Sequence, residues 1–189
     1  PSRLVGSEMC IRDRVIGIGH GVSGFKIGDR VISNGPHSEI ILVPHNLCSI
    51  IPDSVNDDEA AFTVLSSIAL QGIRLANPTF GETFLVSGLG LIGLLEVQIL
   101  KANGCKVLGI DPDGNKCKIA EALGAKTFQL EGNIDPLPWI LANTDNIGID
   151  GAIITASTKS NEPVNFSAKA CRQRGRIILV GVTGIDLRR

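Results

Sequence analysis

From residue 84 onward, the sequence alternates between short apolar segments and longer segments of mixed polarity. Each short segment is a compact apolar run without in-and-out alternation, which is typical of strands that are covered on both faces. The predicted strands are 84–87, 106–110, 126–130, 151–156 and 176–180. The predicted helices between them are 91–103, 115–123, 137–143 and 163–171. Regular alternation of this kind predicts an α/β fold with a doubly wound parallel sheet.

The segment before residue 57 has a different pattern, with short β-branched runs punctuated by glycine and proline. Strands are predicted at 15–21, 30–32 and 39–43, with a tight turn at Gly28 and Asp29. Asp53 and Ser54 offer N-cap groups for a helix predicted over 57–75, and Asn77 followed by Pro78 ends it. This part therefore predicts mainly β structure followed by one long helix.

Residues 1–14 differ from everything that follows. They show no usable periodicity, and the peptide resembles translated adaptor read-through from sequence assembly. We interpret 1–14 as a non-native scar and exclude it, including Met9 and Cys10, from the fold argument. An ordinary irregular terminus is the alternative.

Composition excludes several classes of function. The net charge is −1 and aromatic residues make up only 4% of the chain, which disfavours nucleic acid as a partner. The five cysteines form no C-x-x-C pair, which disfavours a disulfide framework. We find no secretion signal and no apolar run of membrane-spanning length. We therefore expect a cytoplasmic protein with no membrane partner.

A glycine motif follows the first strand of the alternating region and opens the next helix. Its residues are Gly88, Leu89, Gly90, Leu91, Ile92 and Gly93. In this spacing Gly88 permits a tight turn, Gly90 lets a pyrophosphate approach the backbone, and Gly93 lets helix and strand pack closely. The helix N-terminus supplies free N–H groups for phosphates. The motif therefore indicates a Rossmann-type dinucleotide site, although a plain glycine-rich connection is the alternative.

An acid ends the next predicted strand. Asp111 lies about 20 residues beyond the motif, where a carboxylate can accept hydrogen bonds from both ribose hydroxyls of an adenosine. The same carboxylate would repel a 2′-phosphate, and no arginine follows between Pro112 and Lys116. We therefore predict NAD as the cofactor and disfavour NADP. Lys116 lies alongside the ribose in this interpretation, or is an ordinary exposed helix lysine.

Several motifs together resemble the medium-chain dehydrogenase/reductase superfamily, the alcohol-dehydrogenase-like proteins. They are V-S-G-L-G-L-I-G (86–93), G-I-D-P (109–112), G-F-K-I-G-D-R-V (24–31), E-A-L-G-A (121–125) and G-R-I-I-L-V-G (175–181). The resemblance implies a fragment truncated at both ends: a partial catalytic, GroES-like β-barrel domain over 15–56 and a dinucleotide-binding domain over 57–189. It is nearest to the dehydrogenase half of bacterial two-domain oxidoreductases.

The resemblance also implies roles for residues beyond the glycine motif. Thr155 and Ala156 would lie near the nicotinamide ribose, and the backbone of Val180, Gly181 and Val182 would meet the nicotinamide carboxamide. Asp29 and Arg30 would be structural.

The family's zinc features are missing from the chain at the positions where the resemblance places them. Leu65 stands roughly where zinc members place a catalytic cysteine, and residues 49–104 contain no cysteine, histidine or methionine. We therefore predict no zinc. The histidines His20, His37 and His45 are interpreted as solvated loop residues, and the sequence assigns no catalytic residue or proton donor.

The leading functional hypothesis is an NAD-dependent oxidoreductase that transfers hydride between nicotinamide and an alcohol or carbonyl substrate without zinc. The fragment itself is expected to be inactive. The alternatives are a non-catalytic NAD-binding module and, less favoured, an S-adenosylmethionine-dependent methyltransferase. The strand at 176–180, counted as the sixth of the sheet, favours the dinucleotide. The expected partners are a small-molecule substrate and either a second copy or a fused oxidoreductase domain.

Overall fold

The computed structural model describes residues 11–36, 38–132 and 134–185. The chain forms two compact units, the first ending at Ser67 and the second beginning at Ile68. In the part of the chain that is described, no helix is both long and apolar enough to cross a membrane. The predicted domain boundary between residues 56 and 57 stays a prediction.

Unit 1 contains a three-stranded antiparallel sheet in the order β1-β2-β3. The strands are β1 (Ile11–Arg14), β2 (Arg30–Ser33) and β3 (Cys48–Ile50). A small core of Ile32, Ile51 and Ala60 lies beneath them. The turn predicted at Gly28 and Asp29 is present: Gly28 has a φ of 95°, and the Asp29 carboxylate accepts the Lys26 N–H at 2.7 Å. Arg30, the next residue, donates to the Asp57 carboxylate. Asp29 and Arg30 therefore both make contacts that stabilise the fold of unit 1.

Two predicted strands of unit 1 are wrong. Residues 15–21 and 39–43 form no strand, because β-branched composition alone does not make a strand without a ladder partner. Some of their apolar side chains are exposed, as in Ile16 and Leu42, and others are half-buried, as in Val15 and Val43. Residues 11–14, excluded as part of a scar, instead pair with β2, while Met9 and Cys10 lie outside the described residues. The non-native origin of residues 1–14 stays a prediction.

The single helix predicted over 57–75 is two helices. They are α1 (Asp57–Ala60) and α2 (Thr63–Ala76). The N-cap of α1 is Asn56, which forms a reciprocal capping box with Glu59, so Asp53 and Ser54 do not cap the helix. The predicted end is confirmed, since Asn77 adopts a positive φ of 46° directly before Pro78.

Unit 2 is built on a parallel sheet, which confirms the predicted fold class. Its strands are β4 (Thr83–Ser87), β5 (Lys106–Asp111), β6 (Lys126–Gln129), β7 (Ile149–Ile154) and β8 (Cys171–Leu179). The strand order is β6-β5-β4-β7-β8. The helices between the strands are α3 (Leu91–Ala102), α4 (Gly114–Ala122), α5 (Leu137–Ala142) and α6 (Glu162–Ala170).

The sheet is covered on both faces, which explains its continuously apolar strands. Every residue of β4 is buried. Phe84 and Val86 point into a cluster that includes residues of α2, α3 and α4, whereas Leu85 points into a second cluster with residues of α5 and α6. Alternate side chains of β4 therefore pack into two separate hydrophobic cores, one on each face of the sheet, as a doubly wound sheet requires.

The last strand differs from its prediction in length and in position. β8 begins at Cys171, where a helix was predicted to end, because Cys171 already pairs with Ile149. An irregular register follows, and Arg174 in this stretch has a positive φ of 64°. The strand predicted as the sixth of the sheet is thus the fifth among the described residues.

The strand order places a topological switch point between β4 and β7. After β4 the chain winds outward through β5 and β6, then crosses back to β7 on the other side of β4. In doubly wound sheets, ligands bind beyond the carboxyl ends of the strands at such a switch point, which here is where β4 and β7 end.

Candidate functional site

The glycine motif forms the connection from β4 to α3, at the switch point. Gly88 has a φ of 101°, and a Cβ placed there would lie 2.7 Å from the backbone nitrogen of Ala156. A Cβ on Gly93 would overlap the carbonyl oxygen of Gly88. A Cβ on Gly90 would meet no atom within 4 Å. The first and last glycines are therefore required by packing, while the middle one keeps its side of the loop open.

The N-terminus of α3 faces this loop without a side-chain cap. Gly90 is the N-cap residue and has no side chain to offer, and the first intrahelical bond of this turn runs from the Leu94 N–H to the Gly90 oxygen at 2.9 Å. The earlier N–H groups of the turn have no intrahelical acceptor, as at any helix start. Together with the helix dipole, they make this end of α3 suitable for an anion.

Asp111, the last residue of β5, is bound to the loop. It is 5% exposed, and its Oδ2 accepts the N–H of Leu89 at 2.8 Å. Its Oδ1 accepts the N–H of Asp113 at 2.8 Å and lies 3.8 Å from the Nζ of Lys116. A carboxylate has about four acceptor positions, so two amides leave capacity for further donors. The sequence brings the acid to the loop but did not reveal its bond to Leu89.

Leu89 contributes to the shape of the loop. Its side chain is fully buried in the core cluster and would lie 3.0 Å from a Cβ on Gly109. Because its N–H is already donated to Asp111, the residue offers an incoming ligand neither its side chain nor a free amide.

Thr155 and Ala156 follow β7 and contact the glycine loop directly. The N–H groups of both residues donate to the oxygen of Ser87, at 2.9 and 3.0 Å. The Oγ1 of Thr155 also donates to the oxygen of Gly88 at 2.5 Å. These bonds fix both residues against the glycine loop. Their predicted position near a nicotinamide ribose stays a prediction.

The end of β8 also lies beside the glycine loop, next to the end of β7. The N–H groups of Val180 and Gly181 both donate to the oxygen of Ile154, at 2.9 and 2.8 Å. Gly181 lies so close to Thr155 and Ala156 that a side chain there would overlap their backbone. Val182 is 78% exposed beyond it, whereas the side chain of Val180 packs against the core.

The predicted site residues thus gather at one edge of the sheet. The loop 88–93, Asp111, Thr155, Ala156 and Gly181 come from the carboxyl ends of three neighbouring strands and the edge strand β8. Lys116 reaches the same place from α4. An arrangement with free amides, a buried acid and an open glycine surface can bind a diphosphate together with a sugar that carries hydroxyl groups.

One buried acid near this edge was not predicted from the sequence. Glu96 on α3 is fully buried, and neither of its carboxyl oxygens has a hydrogen-bond partner among the described residues. Its Oε1 would lie 2.8 Å from a Cβ on Gly72, beside the side chain of Val180. Burial raises the pKa of Glu96 to about 8. The available signal was a glutamate at a position of α3 where the helical period demands an apolar residue.

The described part of the chain contains no complete zinc site of its own. No group of three or more histidine, cysteine or acidic side chains in this part of the chain is placed to hold a metal ion. Cys105 and Cys117 lie in the apolar core, where burial raises the pKa of each thiol, and Leu65 is buried. Of the three histidines, His20 and His45 are exposed and His37 lies outside the described residues.

Comparison with known proteins gives similar architecture and similar sequence. An alcohol dehydrogenase from Moraxella sp. (strain TAE123) is 32% identical over 124 residues, which cover 65% of this chain and 36% of that protein. The alcohol dehydrogenase TADH from Thermus sp. ATN1 superposes with a TM-score of 0.86 at 20% identity, over 95% of this chain and 64% of that one.

A mycobacterial protein, Rv1454c, whose structure is a complex with NADPH, superposes with a TM-score of 0.83 at 22% identity, over 96% of this chain and 58% of that one. The chain therefore spans between 36% and 64% of the length of these three proteins. The family described as zinc-binding dehydrogenases matches residues 92–188, more than half of the chain. The chain belongs to this family, the zinc-type alcohol-dehydrogenase-like members of the medium-chain dehydrogenase/reductase superfamily.

Proposed function

We propose that this chain is the cofactor-binding part of an oxidoreductase and that it binds a nicotinamide dinucleotide at the carboxyl edge of its parallel sheet. The observation that carries the proposal is the hydrogen bond between Asp111 and the N–H of Leu89. It joins an acid suited to a ribose and a loop suited to a diphosphate into one site. Family membership and the relatives named as alcohol dehydrogenases support the same activity.

In this proposal, each part of the site has one task. The free amides at the start of α3 bind the diphosphate, and Asp111 accepts hydrogen bonds from the adenosine ribose. Ala156 and the backbone of Gly181 and Val182 face the nicotinamide half. The nicotinamide, when bound, supplies a hydride for exchange with an alcohol or carbonyl carbon of a small-molecule substrate. The chain's own residues orient the cofactor so that this exchange has the correct geometry.

We further propose NAD over NADP. Asp111 is buried and holds two backbone amides, so it cannot turn away to admit a 2′-phosphate without breaking both bonds. Among the residues that the structure describes, Lys116 is the nearest cation to Asp111, at 3.8 Å, and its half-exposed side chain gives only weak compensation. The structure of the mycobacterial relative holds NADPH. At 22% identity, however, that likeness concerns the fold alone.

Zinc independence and a cytoplasmic location also remain proposals. A leucine at position 65 and buried core cysteines support the first, and the four free cysteines among the described residues support the second. Elemental analysis of the purified protein tests the zinc proposal. A stoichiometric zinc content that survives dialysis against a chelator would contradict it.

Calorimetric titration of the purified protein with NADH, NADPH and S-adenosylmethionine tests the cofactor proposals. We expect NADH to bind, NADPH to bind at least tenfold more weakly, and S-adenosylmethionine not to bind. Tighter binding of NADPH would contradict the role given to Asp111, and binding of S-adenosylmethionine without NADH would favour a methyltransferase. Turnover assays of the full-length gene product with alcohols and carbonyl compounds then separate an enzyme from a non-catalytic NAD-binding module, whereas this chain by itself should show no turnover.

A further inference from the structure

The peptide between Gly88 and Leu89 is held at both of its ends by side chains. Its carbonyl oxygen accepts a hydrogen bond from the Oγ1 of Thr155 at 2.5 Å. Its N–H donates to the Oδ2 of Asp111 at 2.8 Å. Thr155 follows β7 and Asp111 ends β5, the two strands that flank β4. Because the carbonyl and the N–H of a peptide point in opposite directions, these two contacts together fix the orientation of its plane.

The hydroxyl of Thr155 has two acceptors within reach, the oxygen of Gly88 at 2.5 Å and the oxygen of Ser87 at 3.3 Å, and the bond to Gly88 is the shorter. The backbone N–H of Thr155 and that of Ala156 both donate to the oxygen of Ser87, which holds the backbone beneath the hydroxyl. A Cβ on Gly88 or on Gly93 would each lie 3.0 Å from the Oγ1 of Thr155. The hydroxyl therefore fills the space between the first and the last glycine of the motif, and the loop cannot turn without displacing it.

If the Gly88 peptide turned over, its oxygen would face the carboxylate of Asp111 and its N–H would face Thr155. Two oxygen acceptors would then oppose each other in a buried site, and the loop would have to shift to separate them. The hydroxyl of Thr155 gives the carbonyl a partner only in the observed orientation. This orientation also determines where Gly90 and the free amides of α3 lie.

We propose that Thr155 is a positioning residue for the diphosphate: its hydroxyl holds the Gly88 carbonyl and so keeps the glycine loop in its phosphate-binding shape. This role differs from a contact with the nicotinamide ribose, which the sequence analysis gave to the same residue. The inference rests on the proposed binding of a nicotinamide dinucleotide. It predicts that the benefit of the hydroxyl appears with ligands that carry a diphosphate and not with the nucleoside.

Two substitutions separate the hydroxyl from the shape of the side chain. Thr155→Val removes the donor and keeps the branched volume, and Thr155→Ser keeps the donor. Calorimetry measures the Kd of each variant for NADH, ADP-ribose and adenosine. We expect T155V to weaken NADH and ADP-ribose about tenfold, which is the scale of one hydrogen bond, and to change adenosine by less than twofold. T155S should restore both affinities to within twofold of the wild type.

Ser157→Ala is the matched control, because Ser157 is exposed two residues further along the same loop. It should leave all three Kd values unchanged. Thermal unfolding of each variant reports whether the fold is intact.

The outcomes distinguish this inference from the proposal on which it rests. If the wild-type protein binds neither NADH nor ADP-ribose, the proposed function fails before any variant is considered. If the wild type binds both and T155V binds them equally well, the positioning role alone is overturned. An equal loss for adenosine and ADP-ribose, or a failure of T155S to restore binding, also overturns it, because either result indicates general structural damage.

Discussion

The two edges of the parallel sheet use the same kinds of charged residue in different ways. At the amino edge, Asp150 accepts from the Nε of Arg172 at 2.6 Å and from the N–H of Thr83 at 2.7 Å. Glu82 accepts from Arg176 at 2.5 Å. At the carboxyl edge, Asp111 accepts from two backbone amides, and within the described part of the chain the nearest cation to it is 3.8 Å away.

The difference separates a structural cluster from a candidate site. At the amino edge each acid is matched with an arginine, and Arg176 also donates to the oxygen of Asn77 at 3.0 Å and lies over the ring of Phe84. Such a cluster holds the irregular start of β8 in place. At the carboxyl edge the acid organises a loop whose amides remain available. Burial and charge alone would not distinguish the two edges, whereas the identity of the partners does.

The largest expected effect comes from Glu96, which has no arginine or amide partner in the described part of the chain. Burial raises its pKa from 4.5 to about 8, so the unfolded chain loses this proton first. Its contribution to stability is therefore intact below about pH 4.5 and falls as the pH rises toward about 8. Glu96→Met removes the ionisable group. At each pH we compare the free energies of unfolding of E96M and the wild type. We expect this difference to shift in favour of E96M by about 3 kcal/mol when the pH rises from about 5 to about 8.

Denaturant unfolding at a series of pH values measures this gain. Glu131→Gln is the control, since Glu131 is exposed and should follow the wild type at every pH. If the unfolding free energies of E96M and the wild type changed with pH in the same way, burial would not raise the pKa of Glu96 in the folded protein, and this prediction would be wrong.

The next effect tests the carboxyl edge directly. Asp111→Ala leaves the N–H groups of Leu89 and Asp113 without their acceptor and removes the proposed ribose ligand. Since charge-assisted hydrogen bonds contribute about 1.5–3 kcal/mol each, we expect the Kd for NADH to rise about 100-fold in calorimetry. Asp145→Asn changes an exposed acid elsewhere in unit 2 and should have no effect. If D111A bound NADH with unchanged affinity, Asp111 would not be part of the binding site.

The sequence predicts the parallel sheet of unit 2 better than it predicts the strands of unit 1. Every strand of the parallel sheet was predicted, because its apolar runs are buried by the chain's own helices, and the carboxyl-edge residues follow from the order of those strands. The predictions of strands at 15–21 and 39–43 were wrong. A strand needs a partner strand to pair with, and amino-acid composition does not show whether one is present. The bond from Thr155 to Gly88 joins residues 67 positions apart, and no local pattern encodes it.

A smaller effect, confined to stability, is expected at the amino edge. Burial alone would raise the pKa of Glu82, but hydrogen bonds from Arg176 and the Thr79 N–H, together with the charge of Arg176, lower it below 4.5. The pair therefore adds stability at neutral pH that is lost as the pH falls through the lowered pKa. Arg176→Met should reduce the free energy of unfolding by about 2 kcal/mol at pH 7.

The same variant should bind NADH as the wild type does, because Arg176 lies at the opposite end of the strands. Unfolding curves at about pH 7 and pH 3 and a Kd for NADH form the measurement. The loss of stability should shrink at the lower pH as Glu82 becomes protonated. A change of more than threefold in the Kd would mean that the two edges are coupled, which contradicts the division of roles described above.

The smallest effect concerns Lys116, the one cation within 4 Å of Asp111 among the described residues. The Lys116 side chain is 43% exposed, so solvent screens the pair and its contribution is small. Lys116→Ala should raise the Kd for NADH two- to threefold, an effect that added salt removes. Lys118→Ala, an exposed lysine on the same helix, is the matched control. If K116A instead weakened NADPH tenfold and left NADH unchanged, Lys116 would be a ligand of a 2′-phosphate, and the preference for NAD assigned to Asp111 would be wrong.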